Sequence, residues 1–597
     1  MTRWSLAFLA AFLSASAAVP QEITFETGAA DDRLRGLLRD ASLSLSLSPE
    51  DEPVAQDYVA AARADYRRLL TALYADGYFG GEISIRVDGR EASAIAPLDA
   101  PNSVQTIAIQ VTPGPQFTFG STNIGPVPER TELPEAFQTS EPARSDVIRS
   151  SVSSAVTAWR DLGYAKAGAG EQKIVARHAA EALDVDVTIN TGPRLAFGPL
   201  AVTGNEDVRT ARILAIAGLP TGKVYSAADI TAAERRLRNT GAFDSVALIE
   251  AEDIGPNDTL PVTAQVAEAK PRRFGFGIEL SSIEGLRLSS FWMHRNYFGG
   301  AERLLVEGDV SGIGGETGGL DYNLGASLKI PAVYGPDTDF LLSGTLSHQD
   351  EPDFELDQVT LEATLNRLIR EDLEVSGGLG LIRGRETTDA GTRTFTLLTA
   401  PLTATLDRRD DETNAKFGYF IDLEATPFAS IEGADSGVRV FNDTRGYYSF
   451  GKDERFTLAA RSQIGSVFGT SAEDAPADFL FFSGGGGTVR GQPYNTLGID
   501  VIDAGETIRR GGLSFAGAQL EARVDVTNSI GIVGFYDVGF VGETSSPFDE
   551  GDFHSGFGFG VRYNTGIGPI RLDIATPADS GEVGDRIEFY IGIGQAF

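Results

Sequence analysis

Near residue 270 the spacing of apolar residues changes period, and this change limits what the chain can fold into. Beyond it helical spacing disappears, and short runs alternate apolar with polar residues between Gly-, Asp- and Ser-rich turns. In 321–330, Tyr322, Leu324, Ala326, Leu328 and Ile330 share one face, while Asp321, Asn323, Gly325, Ser327 and Lys329 share the other. The pattern recurs in 519–526, where Leu520, Ala522, Val524 and Val526 oppose Gln519, Glu521, Arg523 and Asp525. It recurs again where Phe557, Phe559, Val561 and Tyr563 oppose Gly556, Gly558, Gly560 and Arg562. A period of two predicts strands with two unlike faces.

A soluble sandwich alternates in the same way, so the distinction rests on the rest of the chain. Arg3, the apolar stretch from Leu6 to Leu13 and the small residues Ala15-Ser16-Ala17-Ala18 predict an export signal over residues 1–18. That stretch is too short to span a bilayer as a helix. No run of about 18 apolar residues follows it, so a mature chain that crosses a membrane does so as a closed barrel, where every backbone group finds a partner. The charges of Arg523 and Arg562 on the polar face and the terminal Phe597 favour that reading. At about 20 residues per strand and connection, residues 270–597 accommodate roughly sixteen strands.

Composition narrows the function classes. With no Cys, disulfides and thiolate metal sites are excluded, and a net charge of −34 argues against a nucleic-acid partner. The 69 glycines exceed the usual share, and on lumen-facing positions they let a sheet curl and leave room for an entering loop. His178, His294, His348 and His554 are scattered without metal-ligand spacing, and no carboxylate pair is set apart. No catalytic residue, metal or cofactor is therefore expected.

Residues 22–268 hold three copies of one pattern. A helix-like stretch runs into a Gly-aromatic step at Gly77-Tyr78, Gly163-Tyr164 and Gly241-Ala242-Phe243, and two β-like runs follow each. The first two copies end in matching junctions, 114–120 (GPQFTFG) and 192–198 (GPRLAFG). This predicts tandem α+β modules over 22–113, 114–192 and 193–268, with the step glycines in the left-handed position that ends a helix. The third copy reads β-α-α-β-β. Small sheets with an open edge accept an extended peptide as an added strand.

The remaining motif is 481–492 (FFSGGGGTVRGQ). No Lys-Ser/Thr and no helix follow it, which disfavours a phosphate loop. Parity instead sets Glu521 and Asp537 inside the same barrel, where an Arg at the tip of an infolded loop can take a bidentate carboxylate partner.

Taken in order, these features resemble the outer-membrane assembly-factor superfamily: POTRA modules, then a sixteen-stranded transmembrane barrel with an infolded Val-Arg-Gly-aromatic loop. Within it, three modules and this length are similar to the TamA group. Val489, Arg490 and Gly491 match the loop motif, and Gln492 replaces its aromatic, a place that Tyr494 is the candidate to fill. Further matches are 294–299 (HRNYFG), 407–410 (DRRD) and 566–573 (GIGPIRLD). The resemblance implies that Asp537 and Glu521 lock the loop, and that the chain helps autotransporters and other nascent β-barrel proteins insert into the outer membrane. It further implies contact with outer-membrane lipid and a TamB-like, inner-membrane-anchored partner. Barrel closure pairs a first strand at 273–280 with a last at 586–594, so Phe274, Gly277, Phe589, Gly592, Gly594 and Phe597 are expected at a lateral seam, with Gly277 facing Gly592. A two-partner secretion transporter or a passive channel are the alternatives, and neither is an enzyme.

Overall fold

The structure, a computed structural model, describes residues 22–597 apart from 29, 48–52, 97–98, 100, 282–284, 316–317, 504–505, 528, 566–567, 580–583, 585, 594 and 596. The expected signal at 1–18, Gly594 of the seam, and Gly566 with Ile567 lie outside the described residues. The chain divides into two compact units. One holds the residues up to Pro199 together with Pro220–Asp229 and Ala251–Pro261; the other holds Leu200–Leu219, Ile230–Glu250 and Val262–Phe597.

The first small sheet is built from β1 (Glu22–Glu26), α1 (Asp32–Ala41), α2 (Leu43–Ser46), α3 (Ala55–Ala75), β2 (Glu82–Val87), β3 (Arg90–Glu91) and β4 (Thr106–Thr112), in the order β1-β4-β2-β3. Leu34 and Leu38 of α1, Leu69 and Leu73 of α3, and Ile107 and Ile109 of β4 form its core, each pair at the spacing of its element. Residues 43–46 (LSLS) form the short helix α2. Buried Asp65 accepts from the Ser42 hydroxyl at 2.8 Å and the Ser44 amide at 3.1 Å, which turns the chain there.

The second sheet consists of β5 (Thr118–Gly125), α4 (Ser145–Asp161), β6 (Gly168–Arg177) and β7 (Ala182–Asn190), in the order β5-β7-β6. Its α-helix α4 has no α-helical companion among the described residues. Pro126, Pro128 and Pro134 interrupt the segment where a first helix would lie, and Phe137 from that segment packs into the core instead. The third sheet has the predicted order of elements: β8 (Ala196–Thr203), α5 (Thr210–Ala217), α6 (Ala227–Asn239), β9 (Phe243–Glu250) and β10 (Thr259–Glu268). Gly77, Gly163 and Gly241 all have positive φ, the left-handed conformation expected where these helices end.

The barrel sheet runs in chain order. Its first half is β11 (Arg272–Ser281), β12 (Gly285–His294), β13 (Arg303–Ile313), β14 (Asp321–Ile330), β15 (Thr338–Glu351), β16 (Phe354–Arg370), β17 (Leu373–Thr388), β18 (Gly391–Thr399) and β19 (Leu402–Asp407). The second half is β20 (Gly418–Glu432), β21 (Gly437–Phe450), β22 (Phe456–Phe468), then β25 (Ser514–Asp525), β26 (Ile530–Gly542), β27 (Gly551–Thr565), β28 (Gly568–Pro577) and β29 (Glu588–Ile593). A two-stranded hairpin, β23 (Ile499–Asp503) and β24 (Glu506–Arg510), lies in the connection between β22 and β25. Segments β18 and β19 lie in line, each pairing with β17 and β20, and Ala400-Pro401 separates them. Side chains follow the predicted parity: Leu324, Leu520, Phe559 and Val561 are exposed outward, while Gln519, Glu521 and Arg562 are buried inward.

Within the second unit, arginines of the third sheet's helices reach barrel turns at one end. Arg236 forks onto Asp337 with Nε–Oδ1 at 2.6 Å and Nη2–Oδ2 at 3.0 Å, and also donates to the Ala217 carbonyl at 3.0 Å. Arg212 donates to the Pro331 carbonyl, Arg235 pairs with Glu371, and the Arg209 amide donates to the Gly299 carbonyl at 2.9 Å. Asp337→Ala is expected to weaken this docking by about 1.5–3 kcal/mol. Pulsed EPR between labels on α6 and on the β16–β17 turn should then show a broadened distance distribution. Arg236→Lys should broaden it too, because an ammonium does not reproduce the fork. An unchanged, narrow distribution in Asp337→Ala would remove this role for the pair.

Candidate functional site

The connection from β22 to β25 folds into the barrel because its own backbone turns it there. Phe481 and Gly512 exchange amide–carbonyl bonds of 3.0 and 2.8 Å, and Ser483 and Leu497 exchange bonds of 3.0 and 2.9 Å, pinning the base. At the tip, the Gly485 amide donates to the Gln492 carbonyl at 2.9 Å and the Gly484 amide to the Thr488 hydroxyl at 2.8 Å. Gly484, Gly485 and Gly491 all have φ near or above +85°, a region closed to most side chains. Carbonyls at the tip are held from the wall: Arg461 donates to Gly487 at 3.1 Å, and Gln519 to Thr488 at 2.9 Å.

Arg490 extends from this tip into a set of carboxylates and is only 1% exposed. Its Nε and Nη2 bond the two oxygens of Asp537 on β26 at 2.7 and 2.9 Å, and its amide adds a third bond to Asp537 at 3.1 Å. Nη1 reaches Glu521 on β25 at 2.7 Å and Asp573 on β28 at 3.5 Å. The guanidinium lies 3.6 Å from the centre of the Phe535 ring, a cation–π contact. Arg523 pairs with Glu521 at 2.7 Å and Arg562 with Asp573, so three arginines balance three carboxylates among buried groups. An arginine guanidinium is not deprotonated in a protein. The cation is therefore permanent.

The expected pairing of Arg490 with Asp537 and Glu521 is thus present geometrically, with Val489 and Gly491 both buried beside it. Asp573, Arg562 and Phe535 complete the cluster and were not assigned to it from sequence, because which inward residue faces which depends on strand register. Tyr494 does not replace the missing aromatic: it is 38% exposed. Gln492 instead donates to the Ser555 carbonyl at 3.0 Å and to Asp579 at 2.7 Å, while aromatic contact comes from the wall through Phe535 and through Tyr590, whose hydroxyl accepts from the Gly491 amide at 3.2 Å. Gly556 lies opposite Asp537 on β27, and a Cβ there would overlap the Arg490 carbonyl.

Among the described residues, the first and last barrel strands pair Leu280 with Ile591 and Ser281 with Tyr590. By comparison, β11 and β12 share ten pairs and β28 and β29 share six. Among the described residues, pairing with β29 occupies one end of β11. Gly277 and Gly592 are not opposite; continuing the register sets Glu279 across from Gly592. Phe274 is outward and exposed, as are Phe589 and Ile591. Phe597 is not at the seam. It is buried against Tyr447 with ring centres 6.5 Å apart, and its carbonyl accepts from Arg523 at 3.2 Å, so Phe597 lies in the lumen.

Above the tip, the loop packs Phe479, Leu480, Phe481, Ile499, Val501 and Ile508 against inward-facing Phe395, Leu397, Phe428 and Phe515. The charged cluster and this apolar plug together fix the loop inside. Arg490→Ala leaves Asp537 without its buried partner and is expected to cost about 3–5 kcal/mol, read as a lower unfolding midpoint and protease cleavage of the loop. Gly556→Ala should give the same loop cleavage with every charge kept. A loop that stays resistant in both variants would show that neither contact holds it.

An Omp85 superfamily domain model matches residues 296–597, and a POTRA model, described as a surface antigen variable number repeat, matches 196–269. The chain is 23% identical over 460 residues to the outer membrane protein assembly factor BamA of Nitratidesulfovibrio vulgaris, covering 73% of this chain and 55% of that protein. It is 22% identical over 409 residues to BamA of Neorickettsia risticii, covering 65% and 53% respectively. The chain thus spans about half the length of these curated relatives. Its fold is similar to the crystal structure of BamA from Haemophilus ducreyi lacking POTRA domains 1–3, with TM-score 0.61, 14% identity, and coverage of 80% of this chain and all of that one. It is also similar to CdiB from Acinetobacter baumannii, with TM-score 0.50, 11% identity, and coverage of 81% and 90%. With the domain model matching half of its length, the chain belongs to the Omp85 superfamily, outer-membrane barrels whose POTRA modules stand in the periplasm.

Proposed function

We propose that this protein is an insertion factor for outer-membrane β-barrel proteins, autotransporters among them, and that it is of the TamA type. In this reading the three α+β modules, 22–113, 114–192 and 193–268, are all POTRA modules, and the in-line segments β18 and β19 count as one stave of a sixteen-stranded barrel. A TamB-like partner and outer-membrane lipid complete the machine, and no catalytic chemistry takes part.

The observation that supports the reading is that, among the described residues, β11 pairs with β29 at Leu280 and Ser281, its end, and not along 272–278. An unpaired strand edge facing lipid leaves amides and carbonyls without partners, and an incoming strand supplies them. The two sides of the seam are unequal. β29 and its tail are held from the lumen: Tyr590 by Gly491, Gln595 by Arg562 at 2.9 Å and Asn414 at 2.8 Å, and Phe597 by Arg523. β11 has β12 on one side and the two seam pairs on the other, with Phe274, Phe276 and Ile278 exposed outward. Freeing β11 from β29 therefore presents a β11 edge while the loop and the closing strand stay in place. The plug across the lumen opposes the two alternatives, secretion of a polypeptide through the barrel and a passive channel.

The test locks the seam with cysteines placed in register, Glu279→Cys with Gly592→Cys, in a chain that has no other cysteine. Oxidation should abolish insertion of a barrel substrate into liposomes, and reduction should restore it. Full insertion by the oxidised protein would end the proposal.

A further inference from the structure

Far from the lumen, the outward face at the tip of β15 and β16 gathers a histidine and carboxylates that sequence spacing does not bring together. His348 and Asp357 are a registered cross-strand pair, with Nδ1 and Oδ1 2.8 Å apart, and Glu355 lies on the same face two residues before Asp357. One ligand atom from each of His348, Glu355 and Asp357 falls within 4.8 Å of the other two. The imidazole is held flat against Tyr322, its registered partner on β14, with ring centres 4.6 Å apart and planes 15° from parallel. The three donors thus come from two paired strands, whose backbone fixes their separation.

Charge on this face points to a cation independently of that geometry. Asp350 is registered directly opposite Glu355, and like charges across a ladder destabilise it. Arg385 on β17 is registered opposite Asp357 but forms no ion pair with it among the described residues. The position is reached by water. Glu355 and Asp357 are within the first four residues of β16, a strand of 17 residues, whereas about 9–11 residues cross the hydrocarbon. The site is at the opposite end of these strands from Asp337 and Glu371, where α6 docks, and so faces the cell exterior.

We infer that His348, Glu355 and Asp357 form a binding site for a first-row divalent cation, of the zinc or manganese class, on the exterior rim of the barrel. One imidazole with two carboxylates suits such an ion better than calcium or magnesium, which take oxygen ligands alone. On binding, Nδ1 gives up any proton it shares with Asp357 while Nε2 keeps or takes one, so a neutral imidazole and the two carboxylates face the metal with further positions left to water.

Full-length protein in detergent, stripped with chelator, is titrated with zinc chloride by calorimetry. A saturable site should appear in the wild type and weaken at least about tenfold in both His348→Gln and Asp357→Asn. His178→Gln should leave it unchanged. Heat-modifiable gel mobility reports folding, and if His348→Gln fails to fold, Asp357→Asn alone decides the matter. Identical isotherms in wild type and folded variants would overturn the site. So would wild-type binding of calcium at equal strength that survives His348→Gln, because carboxylates alone would then suffice.

Discussion

A guanidinium buried inside a barrel has to be surrounded by anions, and much of the C-terminal half is arranged around that need. Arg490 takes both oxygens of Asp537, one of Glu521, and a longer contact to Asp573, so three strands each contribute an inward carboxylate. Two of those carboxylates have their own arginines, Arg523 and Arg562, which keeps the cluster neutral without weakening its hold on the loop. The glycines follow from the same constraint. Where the loop backbone comes close to the wall, as at Gly556 against the Arg490 carbonyl, the wall has no room for a side chain. Replacing such a cluster by apolar residues need not reduce stability, but removing a single member leaves an unpaired buried charge.

The same arginines connect the loop to the end of the chain. Arg523 serves Glu521 and the Phe597 carbonyl, and Arg562 serves Asp573 and Gln595. The closing strand is therefore tied to the lumen by the network that locks the loop, and among the described residues it meets its neighbour β11 at Leu280 and Ser281. These lumenal attachments do not run through the seam. That distribution lets one edge open without dismantling the cluster, which is the mechanical basis of the proposed insertion activity.

Much of this was legible in the sequence. Alternation in 519–526 identified Glu521 as inward and Leu520 as outward, and the Val489-Arg490-Gly491 motif singled out the loop arginine. What remained hidden depended on register, which alternation does not specify. Asp573 and Phe535 are inward by parity, but only the pairing of β25 through β28 brings them to Arg490. The same holds for His348, whose partners come from across a ladder rather than along the chain. Gln492 substitutes a polar anchor for an aromatic one, and Tyr494, the next aromatic along the chain, is at the surface. Phe597 was expected at the seam with the closing strand, whereas it lies against Tyr447 and bonds Arg523. In the second module, three prolines override the two-helix pattern of its neighbour.

Hydrogen exchange on the intact protein in lipid nanodiscs tests most directly whether the closing strand is held from within. Among the described residues β11 has more pairs with β12 than β29 has with β28, so pairing alone would make β29 the first to open. Anchoring by Gly491, Arg562 and Arg523 reverses that order. Amides of β11 bonded to β12 should exchange faster than amides of β29 bonded to β28, and the loop tip at 484–492 should be protected together with β29. Faster exchange in β29, or a tip that exchanges while β29 stays protected, would contradict the account.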